Sequence, residues 1–246
     1  MARILYAIYV RLIFAPIFIL LTVIAALVTI VGCMLGGKRI FSYYPGMIWA
    51  RLTCGLALCP VAIRGSEHVL HNQPAVYVAN HQGAVDIFLI FGFLGVPVKW
   101  VMKQGLVKLP FVGAACRAAG FVFVSHKTLK AAAGSIIEAE RLLQAGCSIF
   151  IFPEGSRTTS GKMGRFKKGA FQIAIDQHVP IIPITLNGPF HALPIGSLNL
   201  RRQPLEIIVH PPIITEDADS SHESVRRLAD ETFSVIASAL WEAYRD

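Results

Sequence analysis

The chain has 246 residues, 54% of them hydrophobic and only 15% charged, with a mean hydropathy of +0.56. Soluble domains carry about 25% charged residues, so this composition excludes intrinsic disorder and predicts contact with lipid. Lys and Arg outnumber Asp and Glu by 23 to 15, giving a net charge of +8 and a pI near 9.4, a balance suited to an anionic substrate or membrane surface and, at this hydrophobicity, not to nucleic acid. The length allows one domain, with or without an accessory segment. Five cysteines, Cys33, Cys54, Cys59, Cys116 and Cys147, are odd in number and contain no CxxC pair. Neither a disulfide framework nor a zinc site is expected, and a reducing compartment fits.

Residues 12–37 contain no charge, and at about 1.5 Å per helical residue this run exceeds a hydrocarbon core of roughly 30 Å. Arg3 and Arg11 precede it, and Lys38, Arg39 and Arg51 follow, so charge does not choose an orientation. A second apolar stretch, 44–63, carries only Arg51, and Gly36-Gly37-Lys38-Arg39 between the two is a turn signal. Two arrangements account for this: a helical hairpin seated in one leaflet with both ends on the cytoplasmic side, and a simple transmembrane anchor. Ile30-Val31-Gly32-Cys33 also resembles a lipobox, but the apolar run is longer than the 7–15 residues of a usual signal core.

Beyond about Ile63, short β-branched or aromatic runs alternate with helix-compatible segments, the pattern of an α/β domain. The division expected is 1–63 for membrane-associated helices and 64–246 for the α/β domain. Strands are predicted at 75–79, 98–102, 121–124, 148–152, 181–186 and 206–209, and helices at 86–94, 111–119, 129–145 and 168–177. Ser220 with Glu223 forms a capping-box signal, and Val225, Leu228, Thr232, Ile236 and Leu240 follow at helical spacing, predicting a closing amphipathic helix packed on the sheet.

Asn80-His81-Gln82-Gly83-Ala84-Val85-Asp86 follows the first of these strands, where α/β proteins place ligands. On an ideal helix His81 and Asp86 would point about 140° apart. They meet only if a strand-to-helix turn holds His81, and Asp86 would then orient the imidazole as a general base. No serine nucleophile accompanies them, since Ser156 lacks the first glycine of GxSxG. The substrate is therefore expected to supply the hydroxyl. Phe152-Pro153-Glu154-Gly155-Ser156-Arg157 follows another strand, with Lys162, Arg165, Lys167 and Lys168 beyond it and no acid among them. Arg157 beside a glycine turn suits bidentate phosphate recognition, whereas the later basic run fits a solvated face or a lipid surface equally well.

These residues together resemble the glycerophospholipid acyltransferases, in particular the 1-acylglycerol-3-phosphate acyltransferases. Asn80-His81 through Asp86 matches the NHxxxxD motif, Lys103 through Gly113 matches KxxLxxxPxxG, Glu154-Gly155-Ser156-Arg157 resembles EGTR, and 179–184 resembles a proline-bearing fourth motif. The resemblance covers about 63–212 and implies a mixed central sheet flanked by helices. It also implies acyl transfer from acyl-CoA or acyl-carrier protein to lysophosphatidate, without metal or bound cofactor. His81 and Asp86 would be catalytic. Asn80, Lys103, Glu154, Gly155, Ser156, Arg157 and Pro183 would contact substrate, with Pro183 shaping the acyl end or the oxyanion pocket. Ser156 stands where the family has threonine, and His126 where it often has arginine, with Lys127 or Lys130 as basic neighbours. The location implied is the cell membrane, with the catalytic domain facing the cytoplasm. Other acceptors (lyso-ornithine lipid, glycerol-3-phosphate, other lysophospholipids), a non-catalytic lipid-binding role and hydrolysis are the alternative readings.

Overall fold

The computed structural model describes residues 2–124, 129–216 and 218–245. Its first element is one continuous helical run, α1 (Ala2–Tyr9) and α2 (Ala15–Met34), joined by a π-turn at Val10–Phe14. Pro16 accounts for the π-turn: its ring crowds the preceding turn and it offers no N–H, so the ladder adjusts one residue earlier and the Ala15 N–H reaches Val10 O. Gly36 and Gly37 reverse the chain through α3 (Lys38–Phe41) into α4 (Tyr44–Leu56), which lies back along α2. Trp49 Nε1 donates to Thr22 Oγ1 at 2.9 Å, and the Tyr6 and Tyr9 hydroxyls donate to the Ala57 and Leu56 carbonyls at 2.7 Å. These bonds tie the two arms together.

The apolar stretch 44–63 divides into α4 and a strand, β1 (Val61–Arg64). The sheet therefore takes in residues 61–63, which composition alone groups with the membrane segment. After it come β2 (Val76–Ala79), α5 (Asp86–Phe93), β3 (Val98–Lys103), α6 (Val112–Ala118), β4 (Val122–Val124), α7 (Leu129–Gln144) and β5 (Ser148–Ile151). The chain continues through α8 (Gly169–Asp176), β6 (Ile181–Asn187), α9 (Pro189–Ala192), β7 (Leu205–Val209) and α10 (His222–Ser238).

The seven strands lie in the order β1-β7-β6-β2-β5-β3-β4. All neighbours are parallel except β6 and β7. This is the mixed sheet that the resemblance implies. Strands β2 to β6 all point the same way, so their C-terminal ends share one edge. Alternation splits the side chains between two faces: Tyr77 and Ala79 join a core with Leu89 and Ile90 of α5, while Val76 and Val78 join Phe171, Val225 and Ile236 on the other face. The hairpin and α6 lie on the first face, and α7, α8 and α10 on the second. The N-cap of α10 is Ser221, which accepts from Ser224 N, and not the expected Ser220, whose hydroxyl donates to Asp176 Oδ1 at 2.6 Å. The expected stripe Val225, Leu228, Thr232, Ile236 and Leu240 is buried.

Candidate active site

β2 is completely buried, and its last residues hand the chain to the shared C-terminal edge. Asn80, the first residue past the strand, turns its amide onto β6: Nδ2 donates to Leu186 O at 2.9 Å and Oδ1 accepts from Leu186 N at 2.7 Å. Sequence reasoning placed Asn80 among the substrate contacts. Its buried amide instead makes the two bonds that an inter-strand partner would make, and so fixes where the following turn begins.

Residues 81–85 form that turn, and Asp86 opens α5. Gly83 lets it run tightly against the chain, because a Cβ there would lie 3.2 Å from Leu193 O and 3.3 Å from Pro189 O. In this geometry His81 Nδ1 lies 2.7 Å from Asp86 Oδ2, which also accepts from Gly83 N at 2.9 Å. The turn thus brings together two residues that a regular helix would splay apart. Asp86 is wholly buried, and the His81 side chain is 17% exposed. Burial pushes the Asp86 carboxyl up, and the bonds from His81 and Gly83 oppose that shift. An ionised Asp86 requires Nδ1 to carry the proton, which leaves Nε2 as the basic nitrogen.

Phe152, just past β5, stacks on the imidazole with ring centroids 3.8 Å apart and planes 8° apart. It fixes the ring plane. Glu154 carries the second support. Its Oε1 accepts from His81 N at 2.7 Å and its Oε2 from Gly164 N at 2.8 Å, while Thr158 N donates to His81 O at 2.9 Å. Burial pushes the Glu154 carboxyl up to about 7, against the two amide bonds that hold it down. Glu154, expected as a substrate contact, joins the histidine turn to the basic loop through these two bonds.

Gly155 has φ +75°, and a Cβ there would lie 2.5 Å from Lys167 Nζ. This left-handed glycine lets the lysine amine close over the turn. Ser156 and Arg157 are exposed, and Arg157 makes no hydrogen bond or ion pair among the described residues. Its backbone neighbour Thr158 donates to His81 O, which holds this stretch of the loop against the histidine turn. Lys162, Arg165, Lys167 and Lys168 are exposed along the same loop. Lys103 ends β3 on the same edge, two strands from β2, or about 10 Å at ordinary strand spacing.

Pro183 is not brought to this site. It pairs with Val78 in mid-strand and its carbonyl accepts from His210 N at 2.9 Å. Ile182 and Ile184 belong to the core on the dyad's face, so alternation turns Pro183 to the opposite face. It works as a sheet residue in mid-strand. Ser125, His126 and Lys127 lie outside the described residues, as does the side chain of Lys130. Among the described residues no cluster of three or more His, Cys, Asp or Glu is placed to hold a metal ion.

Two contributors carry no local sequence signal. Phe152 is one more aromatic in an apolar run, and Tyr244, 2% exposed, comes from the end of the chain to stack near His191 at 5.2 Å.

A family model described as acyltransferase matches residues 60–187, just over half of the chain. The chain belongs to the acyltransferase family. The match spans six of the seven strands, the dyad, Lys103 and the Glu154–Arg157 turn. A chloroplastic 1-acyl-sn-glycerol-3-phosphate acyltransferase of Arabidopsis thaliana is 34% identical over 205 residues, covering 82% of this chain and 55% of the relative. One from Brassica napus is 32% identical over 202 residues, covering 81% and 58%. The human alpha form is 32% identical over 171 residues, covering 69% and 60%. This acyltransferase chain thus spans little more than half the length of those relatives. The crystal structure of the 1-acyl-sn-glycerophosphate acyltransferase PlsC from Thermotoga maritima superimposes with a TM-score of 0.79 at 25% identity, covering 98% of both chains. That likeness includes the N-terminal helices as well as the α/β domain.

Proposed function

We propose that this acyltransferase moves a fatty acyl group from a thioester, acyl-CoA or acyl-carrier protein, to the free hydroxyl of 1-acylglycerol-3-phosphate, forming phosphatidate. The observation that carries the reading is the 2.7 Å contact of His81 Nδ1 with a wholly buried Asp86, with no protein nucleophile expected beside it. Nε2 takes the acceptor's hydroxyl proton as its oxygen attacks the thioester carbonyl. The new C–O bond forms, the C–S bond breaks, and the imidazolium returns the proton to the departing thiolate. Asp86 holds the tautomer and balances the imidazolium charge. The relatives named for 1-acyl-sn-glycerol-3-phosphate support the choice of acceptor, and the unpaired Arg157 supplies a fork for its phosphate. Ser156 and Lys103 are further contacts in this reading.

The membrane part rests on the hairpin. Arg3–Met34 is a 32-residue helix with an 18-residue window of mean hydropathy 2.8 that is only 17% buried. Ile24, Leu27, Val28 and Val31 on α2 are exposed, which favours lipid as their solvent. Because α2 also packs on α4 and α6, a leaflet-bound hairpin fits better than a free-standing span. We assign the chain to the cell membrane, with the site facing the cytoplasm, and the α/β domain begins where β1 enters the sheet.

The deciding experiment gives the purified chain labelled acyl-CoA, or acyl-carrier protein, and a panel of lysolipids. Labelled phosphatidate from lysophosphatidate is the expected product. Product only from lyso-ornithine lipid or another headgroup would replace the acceptor, and free fatty acid alone would indicate hydrolysis. Arg157→Lys keeps the charge but loses the fork. It is expected to raise the acceptor KM about tenfold with kcat little changed, and an unchanged KM would remove Arg157 from the phosphate site.

A further inference from the structure

Between Lys103 on the catalytic edge and α6 against the hairpin, the chain passes through a 3-10 turn (Gln104–Lys108) and then Leu109, Pro110 and Phe111. Leu109 is 48% and Phe111 49% exposed. Phe111 also has φ +58° and ψ −52°, a conformation that costs a bulky residue free energy. Neighbouring bonds hold it there: Gly113 N donates to Leu109 O and Ala115 N to Phe111 O, both at 2.9 Å. The backbone is thus strained to hold an aromatic ring outward, where water gives it no burial.

Two observations indicate what covers that ring. Helix α6, which Phe111 caps, packs on α2, so Leu109 and Phe111 lead directly into a helix seated against the one whose own outward face is exposed and apolar. The chain also has no acidic residue between Asp86 and Glu138, and Lys103, Lys108 and Arg117 are exposed around the segment. An apolar pair rimmed by cations matches the boundary of an anionic leaflet.

We propose that the Leu109–Phe111 segment is a second membrane contact, a wedge that enters the leaflet beside α2 and forms the threshold between bilayer and catalytic edge. This rests on the leaflet-bound reading of the hairpin and not on the identity of the acceptor. A lysolipid would pass this apolar sill with its chain still in lipid while its headgroup meets Lys103 and the Arg157 loop.

The test uses the full chain and phosphatidylcholine vesicles containing phosphatidylglycerol with brominated acyl chains. Phe111→Trp adds fluorescence that the bromines quench, above the share from Trp49, Trp100 and Trp241. Ile137→Trp, at a position exposed on α7 across the sheet, adds fluorescence that stays unquenched. Phe111→Asp, and independently Leu109→Asp, weakens partition into these vesicles about tenfold, and Phe111→Leu restores it. Equal quenching at positions 111 and 137, or wild-type partition by both Asp variants, overturns the proposal. So does a change confined to oligomeric state, which would make a second copy the occupant. Failure of the wild-type chain to partition at all would instead overturn the leaflet reading, and none of these readouts depends on turnover.

Discussion

Replacing His81 with alanine is expected to lower the acyl-transfer rate about a thousandfold while vesicle binding stays at the wild-type level. A positioned general base contributes about 10²–10⁴ in rate, and among the described residues His81 is the imidazole held by a buried carboxylate. The proposed attachment, by contrast, rests on α2, α4 and the Leu109–Phe111 segment, none of which contains His81. Asp86→Asn separates orientation from charge. The amide no longer balances an imidazolium or enforces the Nδ1–H tautomer, so kcat should fall about a hundredfold or more. Stability should hold or rise, because Asp86 is wholly buried, its Oδ1 has no hydrogen-bond partner, and a neutral group relieves that desolvation. Steady-state kinetics on labelled thioester and a thermal melt check both outcomes. Full turnover by His81→Ala would end the base assignment.

Glu154→Gln is expected to produce the second large effect. An ionised Glu154 accepts from both His81 N and Gly164 N, while glutamine can accept from one and must turn an NH2 toward the other. Losing a charge-assisted bond of about 1.5–3 kcal/mol in the support of the base corresponds to a fall in kcat of about 10–100-fold. The acceptor KM should change little, because both carboxylate oxygens are taken by backbone amides. The pH profile provides an independent check. With its carboxyl pushed up to about 7 by burial, Glu154 binds a proton in the folded chain more tightly than in the unfolded one. Its contribution to stability is therefore greatest below the ordinary carboxylate range and is lost as pH rises toward 7. Activity runs the opposite way, since the ionised form holds both amides. Activity in the wild type should therefore fall as pH drops through about 7 and Glu154 takes up a proton, and Glu154→Gln should lose that contribution to the acid limb of log kcat/KM. The other titratable groups near Glu154 are His81 and Asp86. An unaltered limb would remove Glu154 from the ionisation that controls activity.

The contrast between these two predictions shows what a reader of the sequence can and cannot see. His81 and Asp86 were legible because they lie in one short turn, and their five-residue offset is a local fact that the chain direction of β2 into α5 converts into a contact. Glu154 was legible as a motif residue but not in its role. Its two partners are 73 residues before it and 10 residues after it, and only the pairing of β2 with β5 brings the first within reach. Asn80 was misread for the same reason, since Leu186 is 106 residues away. Pro183 was misread because a motif does not reveal which sheet face a residue takes.

In the fold, six strands were legible as β-branched or aromatic runs between turn residues. β1 was not, because its four residues, V-A-I-R, close an apolar stretch that reads as helix, and they become a strand only through pairing with β7, more than 140 residues later. The hydrophobic hairpin was visible as composition, but whether it stands apart from the domain was not. Packing of α4 on α5 and of α2 on α6 answers that by burying side chains that no local pattern pairs.

What this sequence determined by itself was whatever depends on near neighbours: the helices and most strands, the lipid-seeking composition, the glycines at tight turns, and the histidine and carboxylate that one turn unites. Tertiary structure alone decided which face Pro183 takes, that Asn80 and Glu154 serve the backbone of distant segments, and that Phe111 is held outward beside α2. The physical reason is range. Propensity and periodicity act over a few residues, whereas a hydrogen bond or ring stack goes to whichever group the completed sheet places within about 3–4 Å.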